Sequence, residues 1–134
     1  MLFFVYGTLM EYSGRMTQFS PEAHKIDDFV LDGAAIYSLG GYPGLILTAT
    51  LVASDDNTDS VKGEVWFVPD KDIPKLDRYE SEGYLYLRQV VTIFNDIDPV
   101  SAYIYNHDVN GCTKIPDGNW LQYINKANSD ACRV

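Results

Sequence analysis

The feature that most constrains the fold is a series of short apolar runs, each of strand length and each closed by turn residues. Gly40-Gly41 and Tyr42-Pro43-Gly44 are such closures, because glycine allows positive φ and proline fixes φ. The polar residues 54–60 predict a solvated loop or hairpin tip. The runs predict strands at residues 2–6, 29–39, 44–52, 61–68, 84–94 and 100–105.

Helical patterns are few. One helix is predicted to begin at Asp70-Lys71-Asp72, where an aspartate can cap the N-terminus, and to end at Gly83. Its buried face holds Ile73 and Leu76, and a last short helix is predicted at residues 118–127. Residues 8–19 are predicted as a loop or a short helical stretch. The class is α+β: a mixed, strongly curved sheet or partly closed barrel with a short central helix and a C-terminal helix.

Composition indicates one globular domain over residues 1–134, with 46% hydrophobic and 22% charged residues. The net charge of −9 comes from 10 basic and 19 acidic side chains with no Lys/Arg cluster. This argues against nucleic acid and anionic membranes as partners. The opening apolar run is too short for a signal peptide or a membrane span, so a cytoplasmic location is expected.

The cysteine and histidine residues do not form a recognisable metal-binding or catalytic motif. Cys112 and Cys132 lack the spacing of a zinc site, and a reduced cytosolic pair is the default while a disulfide stays open. His24 and His107 are far apart and belong to no motif. The chain has no Gly-x-Gly-x-x-Gly or P-loop pattern. We therefore expect no metal and no cofactor.

The first candidate site is Tyr6-Gly7-Thr8-Leu9, directly after a buried strand. Glycine lets the backbone approach a ligand closely, and consecutive N–H groups in such a loop can bind an anion or a developing oxyanion. The alternative is a tight turn that only ends the strand.

The second candidate is the acidic end of the central helix. Asp77 and Glu80 are i, i+3 neighbours on one helix face. A carboxylate that is partly desolvated, or close to another, has a raised pKa and is a better base near neutral pH. The alternative is a solvated acidic helix end.

The third candidate is a strand face. Because alternate strand residues share a face, Tyr84, Tyr86 and Arg88 should point one way, and Leu85, Leu87 and Gln89 the other. Two hydroxyls and a guanidinium could hold a substrate carboxylate. The alternative is an arginine paired with a structural acid.

The order of these motifs resembles the γ-glutamylcyclotransferase-like superfamily, in particular its small γ-glutamylamine cyclotransferase-like branch. The resemblance covers residues 3–105 and rests on Val5 to Leu9, the Tyr-Pro-Gly turn, Gly63-Glu64-Val65, Leu76-Asp77-x-x-Glu80 and Tyr86-x-Arg88-x-x-Val91. It implies that the first loop and the helix end meet at one cavity.

The resemblance also implies an activity that needs no cofactor: conversion of a small γ-glutamyl amine or peptide to 5-oxoproline and a free amine. Glu80 is then the general acid and base, and Tyr6, Gly7, Thr8 and Leu9 cradle the γ-glutamyl group, with Tyr86 and Arg88 as further binding residues. Glu82 does not fit the Asp-x-x-Glu spacing.

The segment 10–15 carries an acid where the branch often has a basic stretch, so no particular leaving amine is carried over. Two other functions stay open. One is a non-catalytic small-molecule or partner-binding module on the same fold, and the other is an amide- or ester-cleaving enzyme in which Glu80 activates water. The oligomeric state is left open.

Overall fold

The computed structural model describes residues 1–48 and 59–131, with side chains described up to residue 126. The strands are β1 (Leu2–Val5), β2 (His24–Asp32), β3 (Ala34–Ser38), β4 (Pro43–Leu47), β5 (Ser60–Phe67), β6 (Tyr86–Phe94), β7 (Asp98–Tyr105) and β8 (Thr113–Lys114). The helices are α1 (Arg15–Phe19), α2 (Ile73–Tyr79) and α3 (Trp120–Ala131). Short 3₁₀ turns cover Glu11–Ser13, Asp70–Asp72 and Pro116–Gly118.

The strands build two sheets, one five-stranded in the order β2-β5-β1-β7-β6 and one three-stranded in the order β4-β3-β8. β1 lies at the centre of the larger sheet, antiparallel to β5 and parallel to β7. Its residues Phe3, Phe4 and Val5 are buried, as expected for a short apolar run with neighbours on both sides. The predicted α+β class is confirmed.

The partly closed barrel is not confirmed. Among the strands of the described ranges, β2 and β6 are the two edges of the larger sheet and do not pair with each other. The molecule therefore has an open mixed sheet with a smaller sheet beside it.

The single strand predicted at residues 29–39 is wrong in its boundaries. Gly33 has a positive φ of 71° and divides the segment into β2 and β3, which belong to different sheets. β2 also begins earlier than predicted, at His24, because its first half is a polar edge strand that lacks an apolar run. The predicted strand at 44–52 is found as β4, and its residues 49–52 and most of the loop at 54–60 lie outside the described residues.

The central helix is shorter than predicted. Ile73 and Leu76 are buried as expected, but α2 ends at Tyr79 and Ser81 already has a positive φ of 49°. The chain needs residues 80–85 to turn back, so β6 begins at Tyr86. Tyr84, predicted as a strand residue, lies in that turn with 73% of its surface exposed.

Gly63 in β5 lies where neighbouring strands of the large sheet leave no room for a side chain. A Cβ at this position would lie 2.3 Å from the carbonyl oxygen of Val5 and 2.7 Å from the ring of Phe4. We expect Gly63→Ala to lower the free energy of unfolding by about 2 kcal/mol or more, because backbone atoms cannot move aside as a flexible side chain can. Urea denaturation measures this change.

Gly41→Ala is the matched control, since a Cβ there meets nothing within 4 Å. Equal unfolding midpoints for the two variants would contradict the prediction.

Candidate active site

A cavity of about 320 Å³ lies where the loop after β1, the turn into β4 and the end of α2 meet. Its lining combines backbone, aromatic rings and few charges. The described lining residues are Phe4, Val5, Tyr6, Gly7, Thr8, Leu9, Arg15, Gly41, Tyr42, Pro43, Tyr79, Glu80, Leu85, Tyr86 and Tyr103.

The loop Tyr6-Gly7-Thr8-Leu9 contributes all four of its residues to this lining. A hydrogen bond from the N–H of Met10 to the carbonyl of Gly7, at 3.1 Å, closes the loop as a turn. Within the described part of the chain, the N–H groups of Gly7, Thr8 and Leu9 donate to no protein acceptor. A run of free N–H groups at a cavity wall is suited to binding a carboxylate or an oxyanion.

Gly7 is required by packing against a neighbouring turn. A Cβ on Gly7 would lie 2.5 Å from Cγ of Pro43, which is closer than real Cβ atoms come to a neighbour. Glycine at this position therefore lets the Tyr-Pro-Gly turn pack directly against the loop, which brings together two motifs that are far apart in sequence.

Two tyrosine hydroxyls fix the wall of the cavity. The buried Tyr6 hydroxyl donates to the carbonyl oxygen of Tyr103 at 2.7 Å, and the Tyr86 hydroxyl donates to the carbonyl oxygen of Pro43 at 2.8 Å. Burial is the main cause that raises the pKa of each hydroxyl, with further contributions from neighbouring groups that include Glu80. Both tyrosines line the cavity, but their hydroxyls hold backbone carbonyls in place.

Glu80 follows α2 directly and lines the cavity. Burial raises the pKa of its carboxyl from the ordinary 4.5 to about 7. Among the described residues, its carboxylate has no hydrogen-bond donor and no ion-pair partner. A carboxyl group with such a pKa can both accept and donate a proton near neutral pH.

Asp77, the predicted neighbour of Glu80, has a different role. It lies outside the cavity lining, and its carboxylate accepts hydrogen bonds from Arg88, at 3.0 and 3.2 Å, and from the Tyr103 hydroxyl, at 2.7 Å. Arg88 is also absent from the described lining. Its guanidinium forms an ion pair with a structural acid, which was the alternative interpretation of this strand face.

Glu82, the neighbouring acid in sequence, is exposed outside the cavity. Its side chain accepts the backbone N–H of Arg88 at 3.2 Å. The structure thus separates three acids of one short segment: Asp77 pairs with an arginine, Glu82 contacts the start of β6, and Glu80 alone reaches the cavity.

The cavity also contains residues that the sequence motifs did not single out. Arg15 donates from Nη1 to the Tyr79 hydroxyl at 2.8 Å, and this hydroxyl lies 3.3 Å from Oγ1 of Thr8. Tyr103 also belongs to this group. Arg15 occurs in the segment directly after the loop and Tyr79 directly before Glu80, so adjacency to the motifs was the available signal.

Glu64, from the Gly63-Glu64-Val65 motif, holds the segment that follows the loop. Its buried carboxylate accepts the backbone N–H of Glu11 at 2.8 Å and the indole N–H of Trp66 at 2.9 Å, and Lys25 lies 3.6 Å away. From the other side, the Trp120 indole donates to the Tyr12 hydroxyl at 3.0 Å. The start of α1, where Arg15 lies, is therefore positioned by the large sheet and by the C-terminal helix.

Within residues 1–48 and 59–131, no cluster of three or more His, Cys, Asp and Glu side chains is arranged to hold a metal ion. Cys112 is a free thiol, and His107 contacts the rings of Tyr84 and Tyr105. None of the helices in these ranges is both long and apolar enough to cross a membrane.

The chain belongs to the γ-glutamyl cyclotransferase, AIG2-like family, whose model matches residues 3–122. The γ-glutamylcyclotransferase family protein YtfP of Escherichia coli strain K12 is 30% identical over 121 residues, covering 90% of this chain and 96% of that protein. The solution structure of Escherichia coli ytfP matches with a TM-score of 0.65 at 31% identity, over 90% of this chain and 96% of that one. An uncharacterised Pyrococcus horikoshii protein shares the fold alone, with a TM-score of 0.73 at 16% identity over 96% of each chain. The predicted superfamily is confirmed.

The partly buried carboxyl of Glu80 predicts a pH-dependent stability. The unfolded chain releases the proton near the ordinary pKa of 4.5, whereas the folded protein keeps it up to about pH 7. The free energy of unfolding contributed by this group is therefore lost as the pH rises from 4.5 through 7. Because Glu80→Gln removes the buried charge, we expect this variant to be more stable than the wild type by about 2 kcal/mol at about pH 8, and little different at about pH 5.

Chemical denaturation at both pH values measures the difference. Glu82→Gln, on the exposed neighbour, is the control and should lack the gain at high pH. A gain for Glu80→Gln that is the same at both pH values would show that burial of charge is not its cause.

Proposed function

We propose that this protein is a γ-glutamyl cyclotransferase, which converts a small γ-glutamyl amine or peptide to 5-oxoproline and a free amine. The observation that carries the proposal is the environment of Glu80: a carboxyl group without a partner among the described residues, with a pKa of about 7, in the same cavity as the loop with three free N–H groups. Membership in the γ-glutamyl cyclotransferase, AIG2-like family supports the same reaction.

The reaction is an intramolecular acyl transfer. The α-amine of the γ-glutamyl unit attacks its own γ-carbonyl carbon, and a new C–N bond closes a five-membered lactam. The Glu80 carboxylate accepts a proton from the attacking nitrogen. As the bond to the leaving nitrogen breaks, the same carboxyl group donates a proton to it, so that a neutral amine departs and Glu80 is regenerated.

The cavity supplies two further effects. Because nucleophile and electrophile belong to one molecule, binding needs only to select the folded conformer in which they meet. The N–H groups of Gly7, Thr8 and Leu9 stabilise the negative charge on the γ-carbonyl oxygen or hold the α-carboxylate. Tyr6 and Tyr86 provide aromatic wall for the methylene groups of the substrate.

Arg88 acts in this proposal through another residue. Its ion pair with Asp77 fixes α2 three residues before Glu80, so it positions the base and does not contact the substrate. This differs from the binding role that the sequence motif suggested.

The reaction is tested by replacing Glu80 with its uncharged isostere. We expect Glu80→Gln to lower kcat/KM for 5-oxoproline release by at least about 100-fold, because the variant cannot accept the proton. A panel of γ-glutamyl amines and γ-glutamyl amino acids is incubated with each protein, and 5-oxoproline, glutamate and the free amine are quantified by chromatography. Glu82→Gln should keep wild-type activity.

Activity of Glu80→Gln equal to that of the wild type would rule out the proposed base. Release of free glutamate in place of 5-oxoproline would favour an enzyme that activates water. Ligand-induced thermal stabilisation with no turnover of any compound would favour a binding module.

The raised pKa also predicts the pH profile. Glu80 must be ionised to accept the proton, so kcat/KM should rise about tenfold per pH unit on the acidic side and level off above a pKa of about 7. Rates of 5-oxoproline release under subsaturating substrate, across a buffer series of constant ionic strength, measure the profile. An acidic limb of the kcat/KM profile with its midpoint near the ordinary pKa of 4.5 would contradict the assignment of Glu80 as the base.

A further inference from the structure

The charges of the cavity are few and are not matched to each other. Among the described residues that line it, only Glu80 and Arg15 carry a formal charge. Burial is the only cause of the raised pKa of Glu80, and the two side chains form no ion pair. The cavity therefore presents a carboxyl group and a guanidinium cation that do not pair with each other. This arrangement suits a ligand with two charged groups of opposite sign.

Arg15 has no acidic partner in the described part of this strongly acidic protein. Arg88, Lys25 and Lys71, in contrast, each pair with a carboxylate. An unpaired guanidinium at a cavity is available to bind an anion from outside the chain.

The side chain of Arg15 is nevertheless held in place. Nη1 donates to the hydroxyl of Tyr79 at 2.8 Å, and the Tyr79 ring packs against Phe19 with the ring centroids 4.7 Å apart. A guanidinium has five N–H donors, and this is its single hydrogen bond to the described part of the chain. The remaining donors keep the fork geometry that fits a planar carboxylate.

We propose that Arg15 selects substrates whose leaving amine carries a carboxylate, that is, γ-glutamyl amino acids in preference to γ-glutamyl monoamines. This inference rests on the proposed function. There, Glu80 and the loop N–H groups engage the γ-glutamyl unit, which must reach the base. Arg15 is an exposed residue of the lining, so it meets the part of the substrate that extends towards solvent, and this part is the substituent of the leaving amine.

The test compares two substrates that differ in this one charge: γ-glutamyl-alanine and γ-glutamyl-alaninamide. We expect the wild type to favour the acid by about 5- to 10-fold in kcat/KM, a range that allows for the solvent exposure of the guanidinium. Arg15→Gln should lower kcat/KM more on the acid than on the amide, so that the preference disappears. Arg15→Lys keeps the charge without the fork and should retain part of the preference.

Arg78→Gln is the matched control. Arg78 is an exposed arginine of α2 that does not line the cavity, so its replacement makes the same change in net charge without touching the site. It should keep the wild-type preference, and its circular dichroism and melting temperature give the reference for folding of the Arg15 variants.

Each other outcome is decisive. If the wild type releases 5-oxoproline equally well from both substrates, or if Arg15→Gln slows both by the same factor, the inference is wrong and the proposed function stands. If the wild type releases 5-oxoproline from neither substrate nor from any other γ-glutamyl compound, the proposed function fails and the inference fails with it.

Discussion

The hydrogen bond from the Tyr86 hydroxyl to the carbonyl of Pro43 joins the two sheets at the cavity, because Tyr86 belongs to β6 of the larger sheet and Pro43 to β4 of the smaller one. Within the larger sheet, the Tyr6 hydroxyl, which follows the end of β1, donates a hydrogen bond to the carbonyl oxygen of Tyr103 in β7. A buried hydroxyl left without an acceptor would cost about 1–3 kcal/mol, so each bond strongly favours one placement of its backbone partner. The turn at Pro43 and the loop at Gly7 are consequently held in contact before any ligand arrives. Preorganisation of this kind is what a site built from backbone N–H groups requires, since such groups cannot reorient individually.

The acids around the cavity differ in how many hydrogen-bond and ion-pair partners their carboxylates have. Glu64 is buried but accepts two N–H donors and pairs with Lys25. Asp77 pairs with Arg88 and accepts a hydrogen bond from a tyrosine hydroxyl. Glu80 is partly buried and has no such compensation among the described residues, and its pKa of about 7 is the direct consequence. A group of this kind lowers stability whenever it is ionised, and folds usually keep such a group only where it has a use. The position of Glu80 is held by its surroundings: the Asp77–Arg88 ion pair anchors the helix that precedes it, and the cavity wall is apolar and aromatic on most sides.

Much of this arrangement could be predicted from the sequence, and the failures have identifiable causes. Apolar runs located the central strands, and the order of motifs placed the loop and Glu80 at one cavity. Local patterns could not reveal that Gly33 sends the chain from one sheet into the other, since a glycine within a run of β-branched residues is also compatible with a continuous strand. Alternation correctly put Tyr86 and Arg88 on one side of a strand, but it does not specify what an arginine meets there. The contact between Arg15 and Tyr79 joins residues 64 positions apart, so it follows from tertiary structure alone.

The two arginines near the site, Arg15 and Arg88, show that the role of an arginine depends on which groups its guanidinium contacts. Arg88 lies within the family motif yet is bound to Asp77, whereas Arg15 lies outside it and has no acidic partner in the described part of the chain. The segment that leads to Arg15 is held by two contacts: the Glu64 carboxylate accepts the backbone N–H of Glu11, and the Trp120 indole donates to the side-chain hydroxyl of Tyr12. Met10 is buried in the core and Oγ of Ser13 donates to the carbonyl oxygen of Thr8 at 2.6 Å, so these two residues are tied to the loop. Glu11 and Arg15, in contrast, have exposed side chains. Under the proposed function, Glu80 and the loop N–H groups form the part of the cavity for proton transfer, and Arg15 lies in the part that meets the rest of the ligand. Under these proposals, we expect specificity for the leaving amine to depend on the segment after the shared loop, which the family motifs do not describe.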